Sequence, residues 1–177
     1  MGAQAIAEAL QRVETVLTRR PEAGLHDDAP ATATWRGGTR IVASHANGAQ
    51  VPTDMPAEFG GTGDQVSPGW LFRAGVASCA ATSIAMAAAR QGIVLDLLEA
   101  RVDSKTDSRG MLGMADADGT PVSATPCHVQ LHIRIGAHGV APERLHALVE
   151  GGYGHSPIPC AVQAALPLAL HIEVGSG

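Results

Sequence analysis

Residues 67–92 read SPGWLFRAGVASCAATSIAMAAARQG, and this stretch decides the fold. Ser67 is a favoured N-cap residue and Pro68 suits the first helical position, so a helix begins here. No residue that ends a helix follows until Gly92. The stretch therefore predicts a helix of about 24 residues, whose small alanine and glycine residues let other elements approach closely. We expect it to be the buried central helix of the protein.

The segments on either side of this helix predict both helices and strands. Apolar residues recur at three- and four-residue steps in 3–19, which indicates an amphipathic helix, and strict alternation in 128–135 indicates a strand. The other predicted elements are a hairpin at 31–44, a strand at 97–103, helices that begin at Pro142 and Pro157, and a closing strand at 166–174. This order, without regular βαβ repetition, favours an α+β fold. We divide the chain into an N-terminal helix at 1–20, a linker at 21–30 and one folded domain at 31–177.

Composition and charge argue against several function classes. The chain of 177 residues is 45% hydrophobic but 3% aromatic, so we expect one core built mainly from Ala, Val, Leu and Ile. Its net charge of −5, with no block of Lys or Arg, argues against nucleic acid as a partner. The segment 1–20 carries Glu8 and Glu14 and lacks a continuous apolar run, which argues against a signal peptide or a membrane span. We therefore expect a cytoplasmic protein.

Two of the three cysteines suggest redox chemistry. A thiolate attacks the O–O bond of a peroxide and becomes a sulfenic acid, with which a second thiol can condense. Cys79 lies about three turns inside the central helix, too deep for the dipole of that helix to act on it, so a cation must come from elsewhere in the fold. Cys160 follows Ser156 by four residues near the start of another helix, where the dipole favours a thiolate.

Each of these residues also has a simpler explanation. Cys79 suits a small apolar packing residue in an alanine-rich helix, and Cys160 suits a buried cysteine of a first turn. Cys127, in a proline-containing turn before a strand, is interpreted as structural. The eight histidines are scattered, and His128 and His132 lie on the polar side of one strand, so no metal site is predicted. The residues alone leave the packing and the redox interpretations open.

Two long segments resemble the OsmC and organic hydroperoxide resistance (Ohr) family. They are VPTDMPAEFGGTGDQVSPGWLFRAGVASCAATSIAMAAARQGI at 51–93 and PERLHALVEGGYGHSPIPCAVQAALPLALHIEV at 142–174. In that family a Gly-Gly loop and a Ser/Asn-Pro step lead into a long helix that carries the reactive cysteine. The resemblance extends over residues 31–174, and the helix at 3–19 looks like a subfamily addition.

This resemblance implies both a fold and an activity. The family fold is an intertwined homodimer in which long central helices lie back to back, antiparallel sheets lie outside, and active sites lie at the subunit interface. Its enzymes reduce organic hydroperoxides without a metal or another cofactor, and an external dithiol restores the thiol. By this resemblance Cys79 matches the cysteine that attacks the peroxide. The implied function is that of a thiol-dependent peroxidase in oxidative stress defence.

The resemblance also assigns roles to charged residues. In the family a carboxylate follows the Ser/Asn-Pro step and, with an arginine from an early strand, holds the thiolate. Arg36 is the best match to that arginine, with Arg40 close behind, although both also suit solvated charge on an edge strand. Gly69 stands where the carboxylate is usual, so Glu58 and Asp64 are the candidate substitutes.

The late family motif, near the end of the chain, gives two candidate positions for the second thiol. The late motif of the family is Cys-Pro-hydrophobic-Ser, and anchoring it on Pro157 puts Ser156 in the place of the cysteine, with Cys160 one turn further on. Anchoring on the cysteine instead aligns Cys160 itself but loses the proline. The resemblance therefore implies that either Cys160 or an external thiol reacts with the oxidised sulfur.

The substrate pocket leads to a rival interpretation. Trp70, Phe72 and Met86 are candidates for its apolar lining, although such residues on a buried helix also suit plain core packing. A protein of the same fold without peroxidase activity would hold a small apolar ligand at the dimer interface, and the missing carboxylate at Gly69 favours this rival. A third class is an interaction protein that acts through the helix at 3–19.

Overall fold

The computed structural model describes residues 2–175 of the chain. Its helices are α1 (Ala3–Arg19), α2 (Pro68–Arg90), α3 (Ser108–Met111), α4 (Pro142–Tyr153) and α5 (Pro157–Ala164). Its strands are β1 (Thr32–Trp35), β2 (Ile41–Ser44), β3 (Gln50–Thr53), β4 (Leu97–Lys105) and β5 (Cys127–Gly136). The predicted segments 1–20 and 31–177 include Met1 and residues 176–177, which lie outside the described residues.

The central helix α2 forms where the sequence predicts it. The Ser67 side chain accepts a hydrogen bond from the Trp70 N–H at 3.2 Å, which caps the first turn, and Pro68 is the first helical residue. The helix ends at Arg90, and Gly92 then turns the chain with a φ of +66°. Length and composition alone would suit a membrane span, but α1, α4, α5 and β4 pack on this helix, as on the core helix of a folded domain.

Burial of α2 is confined to one side rather than complete as predicted. Its buried residues are Val76, Ala80, Ile84, Ala88 and Ala89. Helix α4 docks on this side through Gly152, where a Cβ would lie only 2.7 Å from the Ile84 Cα, and Leu148 of α4 is buried beside it. Trp70 and Met86 are exposed on α2. The helix is therefore central to the fold but partly uncovered in the single chain.

Two antiparallel sheets complete the architecture. β1, β2 and β3 form one sheet in chain order, which includes the predicted hairpin, and β4 pairs with β5 in the other. Along β5 the side chains alternate as predicted, with Val129, Leu131, Ile133 and Ile135 half-buried and Gln130, His132 and Arg134 exposed. β4 packs on α2, whereas no helix within residues 2–175 makes a comparable contact with the β1–β3 sheet. This mixture of helices and antiparallel sheets confirms the α+β prediction.

The closing strand predicted at 166–174 is wrong for the single chain. The segment contains no strand, and no backbone hydrogen bond joins it to another part of residues 2–175. Its apolar side chains are exposed, since Leu168 is 96% and Val174 is 92% accessible. A strand needs a neighbour that satisfies its backbone N–H and C=O groups, and an alternating sequence does not supply that neighbour.

Candidate active site

The sulfur of Cys79 lies against the first turn of α5. Ser156 Oγ donates a hydrogen bond to Cys79 Sγ at 3.2 Å, and the Ile158 N–H donates another at 3.4 Å. Ser156 is fully buried, whereas Cys79 is half-buried. A segment distant in the chain therefore supplies the polar surroundings that Cys79 lacks within its own helix.

Two prolines leave the first three residues of α5 with a single backbone N–H donor. Helix α5 begins with Pro157, Ile158 and Pro159, and proline has no N–H, so Ile158 supplies the one backbone donor of these three residues. The N-terminus of a helix carries partial positive charge and favours a negative group. The sulfur of Cys79 therefore meets both a directed donor and the favourable end of a helix dipole.

Cys160 lies on α5, but its sulfur has a different partner. Cys160 Sγ is 3.6 Å from the Gly154 carbonyl oxygen, and all three cysteines are free thiols. The sequence analysis expected the start of α5 to act on Cys160. In the structure this helix start also lies against Cys79. The Ser156-Pro157 step indicates that a helix begins there, but no sequence signal shows which side chain that helix start faces.

The two early arginines have different environments. Arg36 is exposed, and within residues 2–175 its guanidinium forms no ion pair. Arg40 is half-buried, and its guanidinium lies 3.3 Å from Asp54 and 2.5 Å from Asp64. Of the two carboxylates considered as substitutes for the one missing at Gly69, Asp64 therefore does pair with an arginine. That arginine is Arg40 rather than Arg36.

Asp54 is a buried carboxylate in the loop between β3 and α2, and the sequence analysis did not single it out. It accepts hydrogen bonds from Thr39 Oγ1 at 2.5 Å, from Thr62 Oγ1 at 2.7 Å and from the Met55 N–H at 2.9 Å. These bonds, that of Thr39 first, hold the pKa of Asp54 well below its usual range. The ionised cluster of Asp54 and Arg40 fixes the loop that leads into α2. Asp54 directly follows β3, a strand that the sequence analysis did not predict.

Comparison with known proteins identifies the family. The sequence pattern of the OsmC family, described as OsmC-like protein, matches residues 61–171. The chain belongs to the OsmC-like protein family. The matched residues include Cys79 and Ser156, whereas α1 and the β1–β3 sheet precede them. No curated protein matches the chain.

Solved structures share the OsmC-like fold. An OsmC-like protein from Mycoplasma pneumoniae is similar with a TM-score of 0.64 and 16% identity, over 78% of this chain and 89% of that chain. An organic hydroperoxide resistance protein from Elizabethkingia anophelis, with crystallant-derived thiocyanate bound, has a TM-score of 0.56 and 19% identity, over 78% and 90%. An organic hydroperoxide resistance protein OsmC from Legionella pneumophila has a TM-score of 0.53 and 22% identity, over 78% of this chain and 91% of that chain. These similarities confirm the predicted OsmC-like fold.

This OsmC-like chain does not gather its predicted pocket residues around one space. Phe72, Cys79 and Met86 follow at seven-residue intervals, so they lie along one side of α2, about 10 Å apart. Trp70 is exposed in the first turn, away from this line. Met86 borders a cavity of about 320 Å³ between α1, α2 and α4, and Cys79 does not line that cavity.

Within residues 2–175, neither Cys127 nor a histidine hydrogen-bonds to Cys79. Cys127 is the exposed first residue of β5, and His132 on the same strand lies 3.5 Å from the Asp103 carboxylate. Among residues 2–175, no three His, Cys, Asp or Glu side chains converge as metal ligands. The candidate site of this OsmC-like protein is therefore built around Cys79 and the start of α5.

Proposed function

We propose that this OsmC-like protein is a thiol-dependent peroxidase that reduces organic hydroperoxides, with Cys79 as the attacking residue. The observation that carries the proposal is the convergence of Ser156 Oγ and the Ile158 N–H on Cys79 Sγ. Two donors and the positive end of α5 stabilise a sulfur that bears negative charge. Neighbours named organic hydroperoxide resistance proteins support the same assignment.

The proposed first step oxidises the sulfur. The Cys79 thiolate attacks the terminal oxygen of the hydroperoxide R–O–O–H, the O–O bond breaks, and a sulfenic acid forms. The alkoxide RO⁻ leaves and takes a proton from solvent to become the alcohol ROH. The sulfur loses two electrons and the peroxide gains them. Because Cys79 is half-buried, substrate approaches from its open side while Ser156 and Ile158 hold the other.

An external dithiol completes the proposed cycle. Its first thiol attacks the sulfenic sulfur, which releases water and leaves a mixed disulfide on Cys79. Its second thiol attacks that disulfide, which frees Cys79 and leaves the reductant oxidised. Cys160 is the internal alternative, but its sulfur contacts Gly154 while Ser156 takes the position beside Cys79. The contacts therefore favour the external thiol.

Peroxide consumption by the reduced protein tests the proposal. With cumene hydroperoxide and dithiothreitol, we expect Cys79→Ser to lower the rate at least about 100-fold, because a hydroxyl does not replace the thiolate as nucleophile. The matched variants Cys127→Ser and Cys160→Ser should keep the rate within about twofold, since Cys79 has its hydrogen bonds from elsewhere. A Cys79→Ser protein that consumes peroxide as fast as the parent would contradict the proposal.

A binding protein of the same fold, with a small apolar ligand at the dimer interface, is the second candidate. The observation in its favour is that Asp54 and Asp64 hold Arg40, and within residues 2–175 no arginine hydrogen-bonds to Cys79. Slow alkylation of Cys79 by iodoacetamide at neutral pH, together with no consumption of peroxide, would select this candidate over the peroxidase.

We also propose that the protein is a homodimer. Helix α2 is uncovered on one side, and the exposed apolar residues of the last segment include Leu168, Leu170, Ile172 and Val174. An apolar surface of this extent is typical of an interface between proteins. A second copy would cover it and would supply a strand edge for residues 166–174. Light scattering should therefore give twice the mass of the 18.1 kDa chain, and the mass of one chain would contradict the dimer.

A further inference from the structure

Helix α1 precedes the residues that match the OsmC family, and it forms one wall of an open cavity in this chain. The cavity, about 320 Å³ in volume, lies where α1 meets α2 and α4. Its lining on α2 begins at Ser83, one helical turn beyond Cys79, and continues away from that residue to Gln91. We propose that this cavity binds a small uncharged molecule with an apolar body and one hydroxyl group. Cys79, Ser156 and Ile158 of the proposed peroxidase site do not line this cavity.

The volume sets the size of the ligand. An engineered apolar cavity of about 150 Å³ holds benzene, and ligand pockets begin at about 300 Å³. A cavity of about 320 Å³ therefore suits a molecule of the size of two fused six-membered rings. Its apolar wall is formed by Leu10 of α1, Met86 and Ala87 of α2, and Leu148 of α4. These side chains favour an apolar ligand body.

Two adjacent glycines of α4 shape the cavity in different ways. A Cβ at Gly152 would lie 2.7 Å from the Ile84 Cα, so this glycine lets α4 approach α2 closely. A Cβ at Gly151 would meet nothing within 4 Å, so this glycine borders open space. A larger residue at Gly151 would therefore occupy the cavity without disturbing the contact between the helices.

The polar groups of the lining favour a neutral hydroxyl over a carboxylate. His155 Nδ1 donates to the Gly151 carbonyl oxygen at 2.8 Å, which leaves Nε2 of the neutral ring as an acceptor. Gln91 and Ser83 can both donate and accept hydrogen bonds. Arg90 also lines the cavity, but Glu14 of α1 pairs with it. A ligand carboxylate would have to compete with Glu14, whereas a hydroxyl would not.

Fluorescence titration with 2-naphthol at pH 7 tests the proposal. We expect saturable binding to the full chain, at least tenfold weaker binding of 2-naphthoate, and at least tenfold weaker binding of 2-naphthol to Gly151→Leu. The control Ala147→Leu places the same side chain at an exposed position of α4 outside the cavity, and should keep the affinity within about twofold. Leu10→Gln provides a second variant on α1, a helix without buried residues, and should also weaken binding.

The outcomes separate this site from the peroxidase site. If 2-naphthol fails to bind the parent protein, or binds parent and Gly151→Leu equally well, the proposal is overturned. The same is true if 2-naphthoate binds as tightly as 2-naphthol. Because Cys79 does not line the cavity, Gly151→Leu should consume cumene hydroperoxide at the parental rate, so each site can fail without the other.

Discussion

Replacement of Ser156 by cysteine is expected to give a protein that closes a disulfide with Cys79 as soon as that sulfur is oxidised. In the natural chain Ser156 Oγ lies 3.2 Å from Cys79 Sγ, and a disulfide requires about 2.05 Å. A movement of about 1 Å at the start of α5 is enough to form the bond. The introduced thiol would attack the sulfenic acid at once, because it would already be in contact with it.

Mass spectrometry after one equivalent of cumene hydroperoxide measures this outcome. Ser156→Cys should lose two hydrogens and two of its free thiols, whereas the parent should gain one oxygen as a sulfenic acid. The control Val162→Cys places a thiol at an exposed position of the same helix and should not close a bridge. An introduced thiol at position 156 that stays free after Cys79 is oxidised would mean that α5 does not lie beside Cys79.

Alanine at two neighbouring glycines of α4 is expected to change stability in opposite directions. Gly152→Ala forces a Cβ against the Ile84 Cα, at 2.7 Å, and should lower the free energy of unfolding by about 1–3 kcal/mol. Gly151→Ala meets open space and should raise it by about 0.5–1 kcal/mol, because alanine loses less conformational freedom in a helix than glycine. The two stability changes have opposite signs because Gly152 faces α2 whereas Gly151, the preceding residue of α4, faces open space.

Urea unfolding of both variants, at one protein concentration, measures this difference. Both substitutions add the same methyl group, so hydrophobicity and helix propensity cancel between them. Equal effects of the two substitutions would show that α4 does not dock on α2 through Gly152. Stabilisation by both would place Gly152, like Gly151, beside open space.

The parts of the fold that were predicted from the sequence depend on local signals. The bounds of α2 follow from Ser67-Pro68 and Gly92, and the faces of β5 follow from alternation within a single strand. The segment 166–174 has the same kind of alternation but no strand, because pairing depends on a partner that its own residues do not specify. Local patterns therefore predicted elements, whereas pairing between distant segments was beyond them.

The candidate site shows the same division. Cys79 was singled out from its residue type and the family resemblance, but its hydrogen-bond donors lie 77 and 79 positions along the chain. The choice between Arg36 and Arg40 depends on how the β1–β2 hairpin turns. Only the folded loop brings Asp54 and Asp64 to Arg40. Contacts of this range are set by tertiary packing, so periodicity and spacing did not predict them.

The uncovered segment 166–174 makes an isolated chain prone to aggregation. Leu168, Leu170, Ile172 and Val174 alternate with small or polar residues, and no backbone hydrogen bond joins this segment to another part of residues 2–175. Such a tail can add to the open edge of any sheet, which is how newly made chains aggregate. In the proposed homodimer a second copy would cover this segment, so the segment would be open to such pairing only before assembly.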